Sequence, residues 1–306
     1  MFDSVRLLDQ RDAQTVERFL APHSAKAYYL RANALNSGLV NEGRISQGDY
    51  VGAFQGDDLV GVQALFNGHS ALWVFATDPA CIEGMSAVLK EHWRLSPRPI
   101  RRIMGLRDLA WASCKAWGIT PDLLHQPNPE WLFQLDLAQM KDPPGFAEDK
   151  RVLRLSQDQD EELLIGWRVA YYIEALCESP QDPSLRDHAK KEFERHVGKN
   201  WYVLESEGQA VSMGGVHRAL PDMVFIGPMW TPPELRNRGH ARSLLAKALR
   251  LAESQGVREA ALFAERPDAI ACYEKLGFRK TADWLMASPI LPILPEHLEG
   301  SKPCTP

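Results

Sequence analysis

The chain has 306 residues, 45% of them hydrophobic and 25% charged, with a net charge of −5. That length favours two domains of ~150 residues over one, and the acidic balance argues against a nucleic-acid partner for the chain as a whole. No apolar run approaches the ~18 residues of a membrane span, and the start, MFDSVRLLDQRD, has acid where a secretion signal needs basic residues, which excludes both in this reading.

Two helical stretches open the pattern, roughly 12–20 and 24–39. Strands follow: Tyr50 to Phe54, a Gly56-Asp57-Asp58 turn, and Leu59 to Leu65, a hairpin by its turn chemistry. An apolar strand, Ala71 to Ala76, runs into a helix with Ile82, Met85, Leu89 and Trp93 on one face. A short strand at 100–104, a helix at 107–117 and a strand at 130–135 finish this half. Lys141-Asp142-Pro143-Pro144-Gly145 then breaks all periodicity and reads as a linker.

From Val152 the order starts again. Ser156 and Gln159 have capping-box spacing, and the helix after them carries Leu164, Trp167 and Tyr171 on one stripe. A second helix covers roughly 185–197, and a hairpin runs from Trp201 through Glu207-Gly208 to Val216. The next stretch, Met223 to Ala241, is an apolar strand broken at Thr231-Pro232-Pro233. It passes through Arg236-Asn237-Arg238-Gly239-His240-Ala241 into an amphipathic helix. A strand, a glycine turn and a helix N-terminus together suit a phosphate, because the first helical N–H groups lack internal partners and the helix dipole favours an anion. A strand at 260–263, a helix at 267–276 and a strand near 281–286 complete the unit, and the proline-containing tail is read as extended or disordered. The five cysteines (Cys81, Cys114, Cys177, Cys272, Cys304) are scattered and without a CxxC pair, so they read as reduced thiols of a cytoplasmic protein.

The Arg-x-x-Gly-x-Ala loop after a strand, followed by Ala269-Ile270-Ala271-Cys272-Tyr273-Glu274-Lys275-Leu276-Gly277-Phe278, resembles the GCN5-related N-acetyltransferases, the GNAT superfamily. The two halves also resemble each other. Tyr50-Val51-Gly52-Ala53 stands against Trp201-Tyr202-Val203-Leu204, and Arg107-x-x-Ala110-x-Ala112 against Arg266-x-x-Ala269-x-Ala271. The second copy is eight residues longer between hairpin and last helix. The gain falls where the first copy turns from strand to helix through Thr77-Asp78-Pro79-Ala80. The expected fold class is therefore α/β (α+β in some schemes), with two tandem acyl-CoA N-acyltransferase-like domains, each a mixed, mostly antiparallel sheet flanked by helices. Residues 1–140 would be a degenerate copy lacking the pyrophosphate loop, 141–149 a linker, 150–290 the copy that binds acetyl-CoA, and 291–306 a tail.

The resemblance implies transfer of an acetyl group from acetyl-CoA to a primary amine of a small molecule or peptide, with no metal, and it leaves a homodimer open. It assigns the pyrophosphate to backbone around Arg236, Asn237, Arg238, Gly239, His240 and Ala241, and the pantetheine arm to the strand backbone at Met229, Trp230 and Thr231. In the family that strand splays from its neighbour, and Pro228, Pro232 and Pro233 fit a strand that breaks away. Tyr273 matches the tyrosine that protonates the leaving thiolate. Arg266 stands where many relatives have asparagine facing the pantetheine arm. The strand offers no carboxylate as a base. Glu174, which continues the inward stripe of its helix, His217 or water are the alternatives. An acyl-CoA-binding regulatory protein whose first domain meets other proteins is the other function compatible with these residues.

Overall fold

Both hairpins form where the turn chemistry places them. Glu207 and Gly208 both have positive φ, the backbone that matches a tight turn to strand twist. Gly56 does the same between the first pair. The computed structural model describes residues 2–126, 130–176, 178–217 and 220–298. Cys177, Cys304 and the tail from residue 299 lie outside the described residues.

In chain order the elements are β1 (Ser4–Leu7), α1 (Ala13–Leu20), α2 (Tyr28–Ser37), β2 (Gly48–Gln55), β3 (Asp58–Phe66), β4 (Ala71–Ala76), α3 (Ile82–Leu95), β5 (Arg102–Leu106), α4 (Arg107–Trp117) and β6 (Glu130–Asp136). There follow β7 (Val152–Leu155), α5 (Glu161–Ala175), α6 (Leu185–His196), β8 (Trp201–Ser206), β9 (Gln209–His217), β10 (Met223–Trp230), α7 (His240–Ser254), β11 (Glu259–Ala264), α8 (Pro267–Leu276) and β12 (Arg279–Ala287), with a last short turn of helix at Pro295–Leu298. Two compact units result. One comprises the described residues of Met1–Leu132 and Thr281–Pro306, the other Phe133–Lys280.

The first unit orders its strands β1-β2-β3-β4-β5-β12. The hairpin and β1 pair antiparallel, and β4 runs parallel to β5 from Ala71 to Val74. Its core lies between this sheet and α3 and α4, where Trp93 and Trp117 meet edge to face at 5.3 Å. The second unit orders its strands β6-β11-β10-β9-β8-β7. One face packs on α5 and α6 through Leu164, Phe193, Trp201, Met213 and Trp230, and the other on α7 through Leu204, Val211 and Leu244.

Two expectations change. The strand read as completing the second copy, β12, pairs antiparallel with β5 instead, Trp284 against Leu106 through Ala287 against Ile103. Conversely β6, the last strand of the first half, stands beside β11. The two halves thus exchange their last strands, because the partner of a terminal strand is a distant stretch that local pattern does not encode. The capping box ahead of α5 is one residue later than the Ser156 spacing implies, with Gln157 N donating to Asp160 Oδ2 at 2.8 Å. Ser156 itself is buried beside the β8 start. The start of the tail takes the extended one of its two expected forms, with bridges from Leu124 to Pro289 and from Ile100 to Ile293.

Candidate active site

The second unit's β10 is held unequally by its neighbours. Its parallel register with β11 covers Met223–Phe225 against Glu259–Ala261, although both strands continue beyond it. On the other side, the antiparallel register with β9 shifts between Ile226 and Met229, across Gly227-Pro228. Pro228 has no N–H to give a ladder, so the sheet loosens where the sequence predicts a strand that breaks away.

The loop that follows is built on backbone conformation. Thr231-Pro232 ends the strand, Pro233–Leu235 makes a short turn, and Asn237 and Gly239 both take positive φ, 63° and 75°. A β-carbon on Gly239 would meet no atom within 4 Å, so glycine serves the turn and the space above it stays open. Helix α7 starts at His240 with no side-chain cap and no acid in its first turn. Its leading N–H groups and dipole therefore face that open space uncompensated by an N-cap side chain. The equivalent turn of the first unit is filled differently. There Asp78 Oδ1 accepts from Ala80 N at 3.0 Å and Glu83 stands in the first turn of α3, so the anion is supplied from within.

Arg236 is fixed from three sides. Its Nε donates to Thr231 O at 2.9 Å, its guanidinium lies 4.9 Å from the Trp230 ring centroid, and its two terminal nitrogens donate to both oxygens of Glu174 at 2.8 Å. Arg266, the N-cap of α8, shares Glu174 at 3.1 Å and also pairs with Asp268. Hydrogen bonds from Arg236 first, and then from Arg266, hold the Glu174 carboxyl below the usual carboxylate range. A carboxylate so engaged is a poor proton acceptor. A second latch holds the loop from behind. Asp149 takes hydrogen bonds from Arg151 and from Ser243 Oγ in the first turn of α7, and Arg151 reaches Arg238 O at 3.4 Å and His240 Nδ1 at 3.2 Å. The His240 side chain is thus turned to Arg151, and its backbone belongs to the loop. The stretch 141–149, read as a linker, lies along α7, with Lys247 Nζ 5.3 Å from the Phe146 ring centroid.

Tyr273 sits on α8 with its ring edge to face on Phe278 at 6.0 Å. Burial above all, with charges on Cys272 and Tyr171 adding, pushes its phenol well above the ordinary value, so the hydroxyl keeps its proton. Tyr171 of α5 in turn meets Trp230 edge to face at 6.4 Å. Glu174, Trp230, Arg236, Arg266 and Tyr273 therefore belong to one neighbourhood at the loosened end of β10. Met229 points the other way, its sulfur over Gly214 on the α7 face. His217 ends β9 opposite Phe225. Its Nδ1 lies 3.0 Å from Asn200 Nδ2, and Asn200 Oδ1 lies 2.9 Å from His196 Nδ1. The roles of Asn200 and His196 went unseen in the sequence, where neither sits in a motif. Among the described residues, no group of three or more His, Cys, Asp or Glu could hold a metal ion, and no helix is long and apolar enough to cross a membrane.

The second unit thus joins a mixed sheet, loosened beside a parallel neighbour, to an uncapped helix and a glycine loop at the loosened end. Residues 164–278 match the model of the acetyltransferase (GNAT) family. The fold likeness extends over almost the whole chain. A GCN5-related N-acetyltransferase from Sphaerobacter thermophilus is similar at 16% identity and a TM-score of 0.55, over 95% of this chain and 97% of that one. A GCN5-related N-acetyltransferase from Kribbella flavida is similar at 14% identity and a TM-score of 0.52, over 86% and 95%. A Drosophila protein is similar at 12% identity and a TM-score of 0.59, over 94% and 98%. No curated protein matches the sequence.

Proposed function

We propose that the protein transfers an acetyl group from acetyl-CoA to a primary amine of a small molecule or peptide, within its second unit. The observation that carries this reading is the open cradle at Gly239–His240, with no N-cap side chain and no acidic residue of its own in the first turn of α7, held from behind by Asp149 and Arg151. The open space over Gly239 and the free leading N–H groups of α7 support placing the pyrophosphate there. Acetyl-CoA, when bound, supplies a thioester that an amine can attack, and the chain's own residues prepare the rest. In this reading the backbone at Met229 and Trp230, at the end of β10, and at Thr231 just beyond it holds the pantetheine arm. The protonated Tyr273 hydroxyl is the donor for the departing thiolate. Glu174 acts in this reading as the anchor that orients Arg236 and Arg266 rather than as the base, since both its oxygens are taken.

The first unit, with Asp78 and Glu83 at its corresponding turn and buried Cys114 where the second copy has Tyr273, contributes no second acyl-CoA site. The division of labour is then one binding copy and one degenerate copy. Glu174's engagement also favours a second reading, acyl-CoA binding without transfer. A free-thiol assay with acetyl-CoA over a panel of amines separates the two: amine-dependent thiol release is expected. Binding of acetyl-CoA with no release above background for any amine would replace transfer with binding alone.

A further inference from the structure

Behind the Gly239 loop the second unit carries a cavity of about 350 Å³, lined by Asp149, Lys150, Arg151, Ser206, Glu207 and His240. Two of these residues tie it to the loop: Arg151 Nη1 donates to Arg238 O at 3.4 Å and lies 3.2 Å from His240 Nδ1. The other walls come from the segment that leads into β7 and from the turn after β8. In the strand order β11-β10-β9-β8-β7, the pairing of β10 stops short on the β11 side, whereas the cavity stands at β8 and β7. A ligand lying across the start of α7 therefore has the loosened end of β10 on one flank and this cavity on the other.

The walls are polar, and their acids do not cancel their cations. Asp149 is already engaged, accepting from Arg151 at 2.8 and 3.0 Å and from Ser243 Oγ. Lys150 and Glu207 stand exposed on the wall. His240 registers the balance. Burial lowers its imidazole first, then Arg151 and Arg238 lower it further, and Asp149 raises it by less than either. The ring is neutral at physiological pH, and the field around it is positive.

The diphosphate of acetyl-CoA joins the pantetheine arm on one side and a ribose on the other, and that ribose carries a 3′-phosphate. The second anion is thus one sugar away from the first. With the diphosphate over Gly239 and the arm on the β10 side, the ribose leaves on the opposite flank. We propose that this cavity takes the 3′-phosphorylated ribose of the donor, with Lys150 and Arg151 as the cations that meet its phosphate. The chain then selects free acyl-CoA over an acyl group carried on protein-bound phosphopantetheine, which has no 3′-phosphate. This rests on acetyl-CoA being the co-substrate of the second unit.

The test uses the full chain, with acetyl-CoA and acetyl-3′-dephospho-CoA as the two probes. By calorimetry the wild type should bind acetyl-CoA ~10-fold or more tightly than the dephospho form, the worth of a hydrogen bond to a charged group. In Lys150→Ala, acetyl-CoA should lose ~5-fold or more in affinity and the dephospho form less than ~2-fold, so the preference shrinks. Free-thiol kinetics should split the same way. With the dephospho donor, KM should rise while kcat stays within ~3-fold, because the missing phosphate is remote from the reacting carbonyl. Equal affinity of the wild type for the two donors would overturn the proposal, and this comparison needs no variant to fold. A Lys150→Ala chain that loses both donors to the same extent would overturn it as well, since the charge would then act on the diphosphate. Failure of the wild type to bind acetyl-CoA would sink the co-substrate assignment, and this proposal with it, whereas binding both donors alike would sink this proposal alone.

Discussion

Replacing Glu174 separates an anchor from a base. Glu174→Gln keeps the shape but removes the charge that joins Arg236 and Arg266. The three side chains are each about a third exposed, 34% for Glu174 against 32% and 39% for its partners. Each ion pair is then screened and contributes ~0.2–1 kcal/mol, so losing both costs about 1 kcal/mol and ~2–4 °C in the Tm of a domain this size. Glu174's carboxyl is depressed in the folded state. Its stabilising contribution is therefore present above the unfolded carboxyl value and fades as pH falls through the folded one, so wild type and variant should converge in acid. Two arginines beside the loop also become available to an anion. One unit charge removed at ~4 Å in water changes the interaction by ~1 kcal/mol, about a fivefold tightening for acetyl-CoA at low salt that shrinks as salt rises. Calorimetry and steady-state kinetics measure both effects, and kcat should stay within ~3-fold of wild type. A kcat lower by ~10²-fold with unchanged acetyl-CoA affinity would show that Glu174 takes the amine proton and that the anchor assignment is mistaken.

Tyr273→Phe keeps the ring against Phe278 and removes the hydroxyl, so kcat should fall ~10²-fold with little change in acetyl-CoA Kd; equal kcat under rate-limiting chemistry would leave Tyr273 a packing residue. Asp149→Asn removes the charge that gathers Arg151, Ser243 and Lys247 behind the loop, and should cost ~1.5–3 kcal/mol at pH 7 by denaturant unfolding. Burial works against the ionised Asp149, but the hydrogen bonds from Arg151 and Ser243 outweigh it and depress its carboxyl. The deficit of the variant should therefore close as pH falls through that depressed value, and a deficit independent of pH would mean that Asp149 acts through packing alone.

Much of the second unit was legible because its signals are local. The hairpin at Glu207-Gly208, the glycine before α7 and the Pro267–Leu276 helix each depend on backbone preferences of the residues themselves. Arg236 lies against Trp230, and Tyr273 lies on the helix that Arg266 caps. What sequence could not show depends on distant partners. The four-residue edge strands β1 and β7 went unread, since their stability comes from β2 and β8 rather than from their own pattern. The exchange of β6 and β12 is invisible for the same reason. Glu174 looks like a candidate base on a helical stripe until its two arginines, 62 and 92 positions away, are seen closing on it. Asn200, between two histidines, carries no motif at all.

The central claim is that one acetyl-CoA binds per chain, at the Gly239 loop. Titration calorimetry of acetyl-CoA into the full chain, run beside Gly239→Asp, tests it most directly. An aspartate there would place a carboxylate in the open space before α7, where a pyrophosphate would meet like charge. The account predicts a stoichiometry near one for the wild type and a Kd weakened ~10-fold or more in a folded Gly239→Asp chain. A stoichiometry near two, or a Gly239→Asp chain that binds as tightly as the wild type, would contradict it.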